Sequence, residues 1–228
     1  MNKGKLYVVA TPIGNLEDIT FRAIDTLKKV TFVLAEDTRE SYKLFNRYDI
    51  KTQLISYRDQ NHEKMLGKIL EKLDMGLDLA LISDCGTPLI SDPGFKLIRE
   101  LRERKYDVVS IPGPSALTSA LSISGLVTDR FAFLGFLPKS DIKRKKLLQE
   151  YVNIEGSLIF YESPKRLIKL LDMLKNVFGE KKVGIAKDIS KMREMFFYGN
   201  ISEVSKEIET DDFKENPHGE YVVILENK

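Results

Sequence analysis

Short apolar runs that alternate with amphipathic stretches of helical period constrain this chain more than any other feature. In the first half the runs are Leu6–Ala10, Phe32–Ala35, Leu54–Tyr57, Leu77–Ile82 and Val108–Ile111. Between them Thr20–Val30, with Phe21, Ile24 and Leu27 on one face, then Ser41–Tyr48, His62–Leu73 and Phe95–Arg104 read as helices. Strands this short and this apolar belong to a sheet covered on both faces, and helical crossovers make neighbouring strands parallel. The expected fold is α/β, with a mostly parallel five-stranded sheet in the first domain.

The second half departs from that rhythm. A helix-like ALTSALSI follows Pro114, and Phe131–Phe136 opens a new set with strands at Leu158–Tyr161, Val183–Lys187, Met195–Tyr198 and Tyr221–Leu225. Helices are expected near Lys143–Tyr151, Pro164–Val177 and Ser202–Ile208. The two runs that meet around Ser190–Glu194 read as an antiparallel hairpin, so this α/β domain should carry a mixed sheet. The junction is expected within Ala116–Thr128, dividing the chain into residues 1–118 and 119–228.

Four loops fall at the carboxyl ends of the first-half strands, where open α/β sheets bind ligands. The richest is Ser83–Gly94, SDCGTPLISDPG, whose two Pro, two Gly and two Asp shape a loop rather than continue a strand. Asp84 at its tip, among small residues that let backbone approach a ligand, suits a polar or cationic small molecule better than a phosphate. The others are TPIGNL (Thr11–Leu16), AEDTR (Ala35–Arg39) and IPGPSA (Ile111–Ala116). Capping and turn formation account for Thr38, Pro114 and Ser115 singly, but not for four such loops on one rim. None is a phosphate loop, because no G-x-x-x-x-G-K-[ST] or G-x-G-x-x-G is present.

Other classes are excluded by what the chain lacks. Its 228 residues, 43% hydrophobic and 31% charged, describe a soluble protein with a full core, and no apolar stretch approaches 18 residues. The sequence enters a strand pattern directly, without a signal peptide, and a cytoplasmic location is expected. The single cysteine, Cys85, excludes an internal disulfide and is expected to pack as a small residue. His62 and His218, with no C-x-x-C pair, provide no zinc spacing, so no metal is expected. The net charge is only +2, yet Lys139–Arg193 holds 14 Lys/Arg against 7 Asp/Glu, while Glu194–Lys228 holds 3 against 9. The densest part, KSDIKRKK (Lys139–Lys146), is either a phosphate-contacting surface or a solvated helix face.

The ordered set LYVVATPIGNLEDIT, AEDTR, SDCGTPLISDPG, IPGPSA, GFLPK, IFYESPKRL and PHGEYVVIL, running from Leu6 to Leu225, resembles the tetrapyrrole methylase superfamily, the class III methyltransferases. Within that superfamily it is similar to the ribosomal small-subunit methyltransferase I family. The resemblance implies two α/β domains that clasp S-adenosylmethionine, usually in a homodimer. It also implies 2′-O-methylation of a cytidine ribose in the decoding region of 16S rRNA in the small ribosomal subunit. Carried over by position, it assigns the cofactor to Pro12, Asp84, Thr87, Pro88, Ile90, Ser115 and Ala116, and from the second domain to Tyr161, Glu162, Lys187 and the Pro217–Gly219 turn. This chain carries Lys165 and Glu40 where relatives often have histidine. It also ends soon after GEYVVIL, without a C-terminal helical extension, which would shift RNA holding onto Lys139–Lys146.

Transfer from a sulfonium to a ribose hydroxyl needs alignment and a group to accept the hydroxyl proton. The catalytic candidates are Asp37 and Lys187, against the alternatives that Asp37 pairs with Arg39 and that Lys187 orients the cofactor or lies on the surface. Arg39, Lys139, Lys143, Arg144 and Lys146 are the candidates for RNA phosphates, with Phe136 and Tyr161 for base stacking. Two other functions fit parts of this pattern, a small-molecule methylase of a porphyrin-like ring and a non-catalytic RNA-binding module.

Overall fold

Strands apolar on both faces must be covered on both, and the computed structural model, which describes residues 3–210, 213 and 217–227, shows how. The chain divides into two units, Met1–Ser115 and Ala116–Lys228. In the first, β1 (Leu6–Val9), α1 (Phe21–Lys29), β2 (Phe32–Ala35), α2 (Thr38–Arg47), β3 (Gln53–Ser56), α3 (His62–Asp74), β4 (Leu79–Ile82), α4 (Phe95–Glu103) and β5 (Val108–Ile111) alternate as expected. The strand order is β3-β2-β4-β1-β5 and every neighbouring pair is parallel.

The two faces of this sheet carry separate cores. Val9, Val33, Ala35, Ala80 and Ile82 pack with Ala23 and Leu27 of α1 and Leu44 and Phe45 of α2. Leu6, Phe32, Leu34, Leu79 and Leu81 pack instead with Ile69 and Leu73 of α3 and Leu97 and Leu101 of α4. The right-handed crossover rule explains the split: β1 to β3 moves across the sheet one way, β3 to β5 the other, so the helices change sides. At β4, both paired neighbours, β1 and β2, send their chains to the face opposite α4. The carboxyl end of β4 is therefore a topological switch point, the usual place for a ligand crevice.

Three local expectations need correction. Phe21 is 88% exposed, because the buried face of α1 is centred on Ala23 and Leu27. A row of three-residue steps from Phe21 precesses around a helix of 3.6 residues per turn and leaves that face. Helix α2 begins at Thr38, earlier than Ser41, because the Asp37 side chain caps it and draws the end of AEDTR into its first turn. Cys85 is exposed and does not pack in the core.

The second unit contains α5 (Ala116–Ile123), β6 (Phe131–Phe136), α6 (Asp141–Gln149), β7 (Gly156–Glu162), α7 (Pro164–Phe178), β8 (Lys182–Lys187), β9 (Met195–Asn200), α8 (Ile201–Ile208) and β10 (Tyr221–Asn227). Its sheet, β6-β7-β10-β8-β9, is mixed: β6 and β7 are parallel and the other pairs antiparallel. Side chains of α6, α7 and α8 fill one face and those of α5 the other. Because Ala120 and Leu121 cluster with Ile159, Val222 and Ile224, the whole of α5 belongs to this unit. The division thus precedes α5 and does not cut it at residues 118 and 119. Among the described residues no helix is long and apolar enough to cross a membrane.

Candidate active site

All strands of the first sheet point the same way, so the loops that follow them share one rim. Hydrogen bonds to main-chain groups tie these loops together. Thr11, after β1, exchanges two backbone hydrogen bonds with Gly86 of the β4 loop (2.9 and 3.0 Å), and its hydroxyl donates to the Ser83 carbonyl (3.2 Å). The Thr87 hydroxyl donates to the Pro114 carbonyl after β5 (3.4 Å). On the other side the Asp84 carboxylate accepts the backbone N–H of Asp37 after β2 (2.9 Å). Within the β4 loop, Leu89 and Ser91 hold positive φ of 73° and 70°, a left-handed conformation that costs a non-glycine residue about 1 kcal/mol or more. The structure thus gathers Pro12, Asp84, Thr87, Pro88, Ile90 and Ser115 on the rim of the first unit. Pro12 and Pro88 are buried, while Asp84 and Ile90 are exposed.

Carboxylates concentrate where the β2 and β4 loops meet. Glu36, Asp37, Asp84 and Asp92 lie together there, and burial with the charge of neighbouring carboxylates acts on two of them. Burial, then Asp84, pushes the Glu36 carboxyl up. Burial, with Glu36 and Asp84 adding to it against a Ser83 hydrogen bond, pushes Asp92 up to about 6. Asp37 behaves oppositely. Arg39 binds it through two side-chain hydrogen bonds (3.0 and 2.6 Å), its Oδ1 also caps the Arg39 N–H (2.9 Å), and these bonds hold its carboxyl well below the usual carboxylate range. Sequence reasoning singled out Asp37 and Asp84 here but missed Glu36 and Asp92. It also missed a fifth rim loop, Tyr57–Asn61 after β3, whose Arg-Asp-Gln-Asn has the same polar character at a strand tip as AEDTR.

The second unit holds the remaining candidates in three places. Tyr161 at the end of β7 lies edge-on to Phe133 and Phe136, with centroids 4.9 and 5.6 Å away, and Phe136 is exposed. Glu162 is buried. Its Oε1 accepts the Ser163 N–H (2.7 Å) and pairs with Arg166 (2.6 Å), while its Oε2 is buried with no hydrogen-bond partner among the described residues. Arg166 in turn donates to the Leu137 carbonyl (3.4 Å). Lys187 at the end of β8 places Nζ 3.5 Å from His218 Nε2. Gly219 lets this turn approach: its φ is +101°, and a Cβ there would sit 2.9 Å from Asp188 Oδ2 and 3.0 Å from Lys187 Cε. Pro217, half-buried, precedes that turn.

The basic segment is not uniformly exposed. Lys139, Lys143 and Lys146 lie on the surface, as does Arg39 in the first unit. Arg144, expected with them, is turned inward at 1% exposure. Its spacing of four residues from buried Leu148 puts it on the inner face of α6, and its Nε–H donates to the Pro138 carbonyl (3.1 Å). It braces the loop before α6 and does not face solvent phosphates.

The likeness to known proteins covers nearly the whole chain. The family model for tetrapyrrole (corrin/porphyrin) methylases matches residues 5–205. The ribosomal RNA small subunit methyltransferase I of Thermotoga maritima is 43% identical over 99% of this chain and 99% of its own length. The protein of that name from Bacillus subtilis is 41% identical over 98% of this chain and 75% of its own length. Among solved structures, a diphthine synthase superposes with a TM-score of 0.70 at 12% identity, covering 97% of this chain and 89% of that one. A uroporphyrin-III C-methyltransferase from Thermus thermophilus, complexed with S-adenosyl homocysteine, gives 0.65 at 16%, covering 98% and 97%. The first shared feature is the fold, two α/β units with one parallel and one mixed sheet. Identity above 40% along the full length is the second, and together they show that the chain belongs to the tetrapyrrole methylase family and, within it, to the ribosomal RNA small subunit methyltransferase I proteins.

Proposed function

We propose that this protein is an S-adenosylmethionine-dependent methyltransferase of ribosomal RNA, and that it methylates the ribose 2′-hydroxyl of a cytidine in the decoding region of 16S rRNA. The observation that carries the cofactor assignment is the carboxylate cluster at the β4 switch point. Burial and then the neighbouring Asp84 charge push Glu36 up, and burial with the Glu36 and Asp84 charges pushes Asp92 up, so negative charge is gathered at this point of the rim. Such a site favours a ligand that carries positive charge, and the tight glycine and proline turns around it allow close backbone approach. When bound, S-adenosylmethionine supplies a methyl group on a positively charged sulfur. The relatives' shared name supports the rRNA substrate.

The remaining work of the chain is to orient the hydroxyl and accept its proton. Asp37 is a poor acceptor, since its bonds to Arg39 stabilise the carboxylate and lower its basicity. Its role in this reading is to cap α2 and hold Arg39. Lys187 is the acceptor we assign, in its neutral form: an ammonium has no lone pair, so its own proton must first pass to His218 Nε2, 3.5 Å from Nζ, before the amine takes the one the hydroxyl loses. In this reading the cofactor contacts of the first unit are Pro12, Asp84, Thr87, Pro88, Ile90 and Ser115. Exposed Lys139, Lys143, Lys146 and Arg39 contact phosphates, and Phe136 offers a stacking face. The enzyme works in the cytoplasm as a homodimer, without a metal.

The test is incubation with methyl-labelled S-adenosylmethionine and small subunits from cells that lack the gene, followed by nuclease mapping. Label on a cytidine ribose is expected. Label on a base, or transfer only to porphyrin-like compounds, would overturn the reading.

A further inference from the structure

We propose that the β3–α3 loop, Tyr57–His62, is a positioning element for the cofactor site, gripping the β2 loop with Arg58 and the β4 loop with Asp59. The proposal rests on the cofactor assignment above and adds residues to it.

The loop is itself held rigidly. Tyr57 is 1% exposed, donates its N–H to the Ala35 carbonyl (2.8 Å), and its hydroxyl lies 2.9 Å from Nδ1 of buried His62. Asn61 fixes the turn from inside: Oδ1 accepts the Arg58 N–H (3.0 Å) and Nδ2 donates to the Ser56 carbonyl (3.1 Å). Two side chains then reach outward from adjacent positions. Arg58 Nε–H donates to the Glu36 carbonyl (3.0 Å), and its Nη2 stands 3.7 Å from Asp37 Oδ2. Asp59 Oδ1 accepts the N–H of Gly94 (3.2 Å).

The second contact supplies a missing part. Gly94 is the N-cap of α4 and has no side chain with which to cap it. It must be glycine, since its φ is +124° and a Cβ would lie 2.9 Å from Leu81 Cδ2. An amide at the start of α4 is therefore satisfied from a different loop. Gly94 also ends the β4 loop two residues after Asp92. Consecutive residues thus set the β2 loop, bearing Glu36 and Asp37, at a fixed spacing from the β4 loop, bearing Asp84 and Asp92. None of this requires Arg58 or Asp59 to touch the cofactor.

The experiment is calorimetric titration of S-adenosylmethionine into the parent, Asp59→Ala, Asp59→Asn, Arg58→Ala and the double alanine variant, with turnover and melting temperature measured alongside. Misplaced binding groups lose affinity steeply, so Asp59→Ala should raise the cofactor Kd and KM about tenfold with kcat at saturating cofactor within about twofold. Asp59→Asn, whose Oδ1 still accepts from Gly94, should recover to within about threefold of the parent. Loss of either grip frees the spacing, so the double variant should fall short of the product of the single effects. Kd values within twofold of the parent in every folded variant would overturn the proposal, as would failure of asparagine to rescue. A parent that binds no S-adenosylmethionine would overturn the cofactor assignment and this proposal with it.

Discussion

The two units hold their strand-end loops by different means. In the first, exposed charged side chains bond to main-chain groups of neighbouring loops, as Asp84 does to Asp37 N and Arg58 to Glu36 O. In the second, the loops around β6 and β7 are fixed from within by buried groups, the Glu162–Arg166 pair and the inward Arg144. Solvated contacts are individually weak and adjustable, whereas a buried ion pair contributes little over an apolar replacement but is costly to break. The first arrangement suits a rim whose loop spacing is set by several small contacts acting together. The second suits a platform that must not move.

Removing one half of the buried pair is the strongest way to break this comparison. Glu162→Ala leaves the Arg166 guanidinium without its partner and should destabilise the protein by about 3 kcal/mol, lowering the melting temperature by roughly 6–10 °C. If the variant melts like the parent but no longer binds S-adenosylmethionine, Glu162 is a ligand and not a brace. Asp84→Ala tests the opposite regime. It should weaken cofactor binding by roughly tenfold, the loss of about one charge-assisted contact, while the melting temperature moves by about 2 °C or less in a thermal melt.

A smaller effect concerns Asp92. Its folded carboxyl is pushed above the ordinary carboxylate value, to about 6, so folding takes up a proton between the two values. Stability should therefore fall as pH rises from about 4 to 6 and remain lowered above that, the reverse of a salt-bridged carboxylate. Asp92→Asn should match the parent near pH 4 and exceed it at pH 7 by about 1 kcal/mol, a value reduced for solvent screening. Urea melts at the two pH values measure this, and equal differences at both would contradict the assignment. The smallest effect belongs to the surface lysines. Each of Lys139→Ala, Lys143→Ala and Lys146→Ala should lower the salt slope of RNA binding by about 0.7, whereas Arg144→Ala should cost stability and leave the slope unchanged.

The alternation of strand and helix was readable because apolar period is written directly in the residues, and Phe32–Ala35 and Val108–Ile111 match their strands end to end. Phe21 misled because periodicity names a helix but sets its buried face only to within a residue or two. AEDTR was legible as a strand-end loop and less so as a helix start, since a capping role for Asp37 depends on where the chain turns. Arg144 and the Tyr57–Asn61 loop were hidden for a different reason. Composition marks a residue as charged, but only packing says whether it faces solvent or spans to another loop. The Gly94 amide that Asp59 accepts lies 35 positions along the chain, and no local pattern announces such a contact.

Each sheet has an interior strand made long before or long after the neighbours it pairs with. Leu6 of β1 lies between Leu79 of β4 and Val108 of β5, and β10 lies between β7 and β8. During synthesis, β1 leaves the ribosome with neither neighbour made, and the second sheet stays in two pieces until its last strand arrives. Pairings this distant in sequence fold slowly and leave apolar edges open meanwhile. For a nascent chain, the vulnerable interval in each half ends only when its closing strand has been made, β5 in the first and β10 in the second.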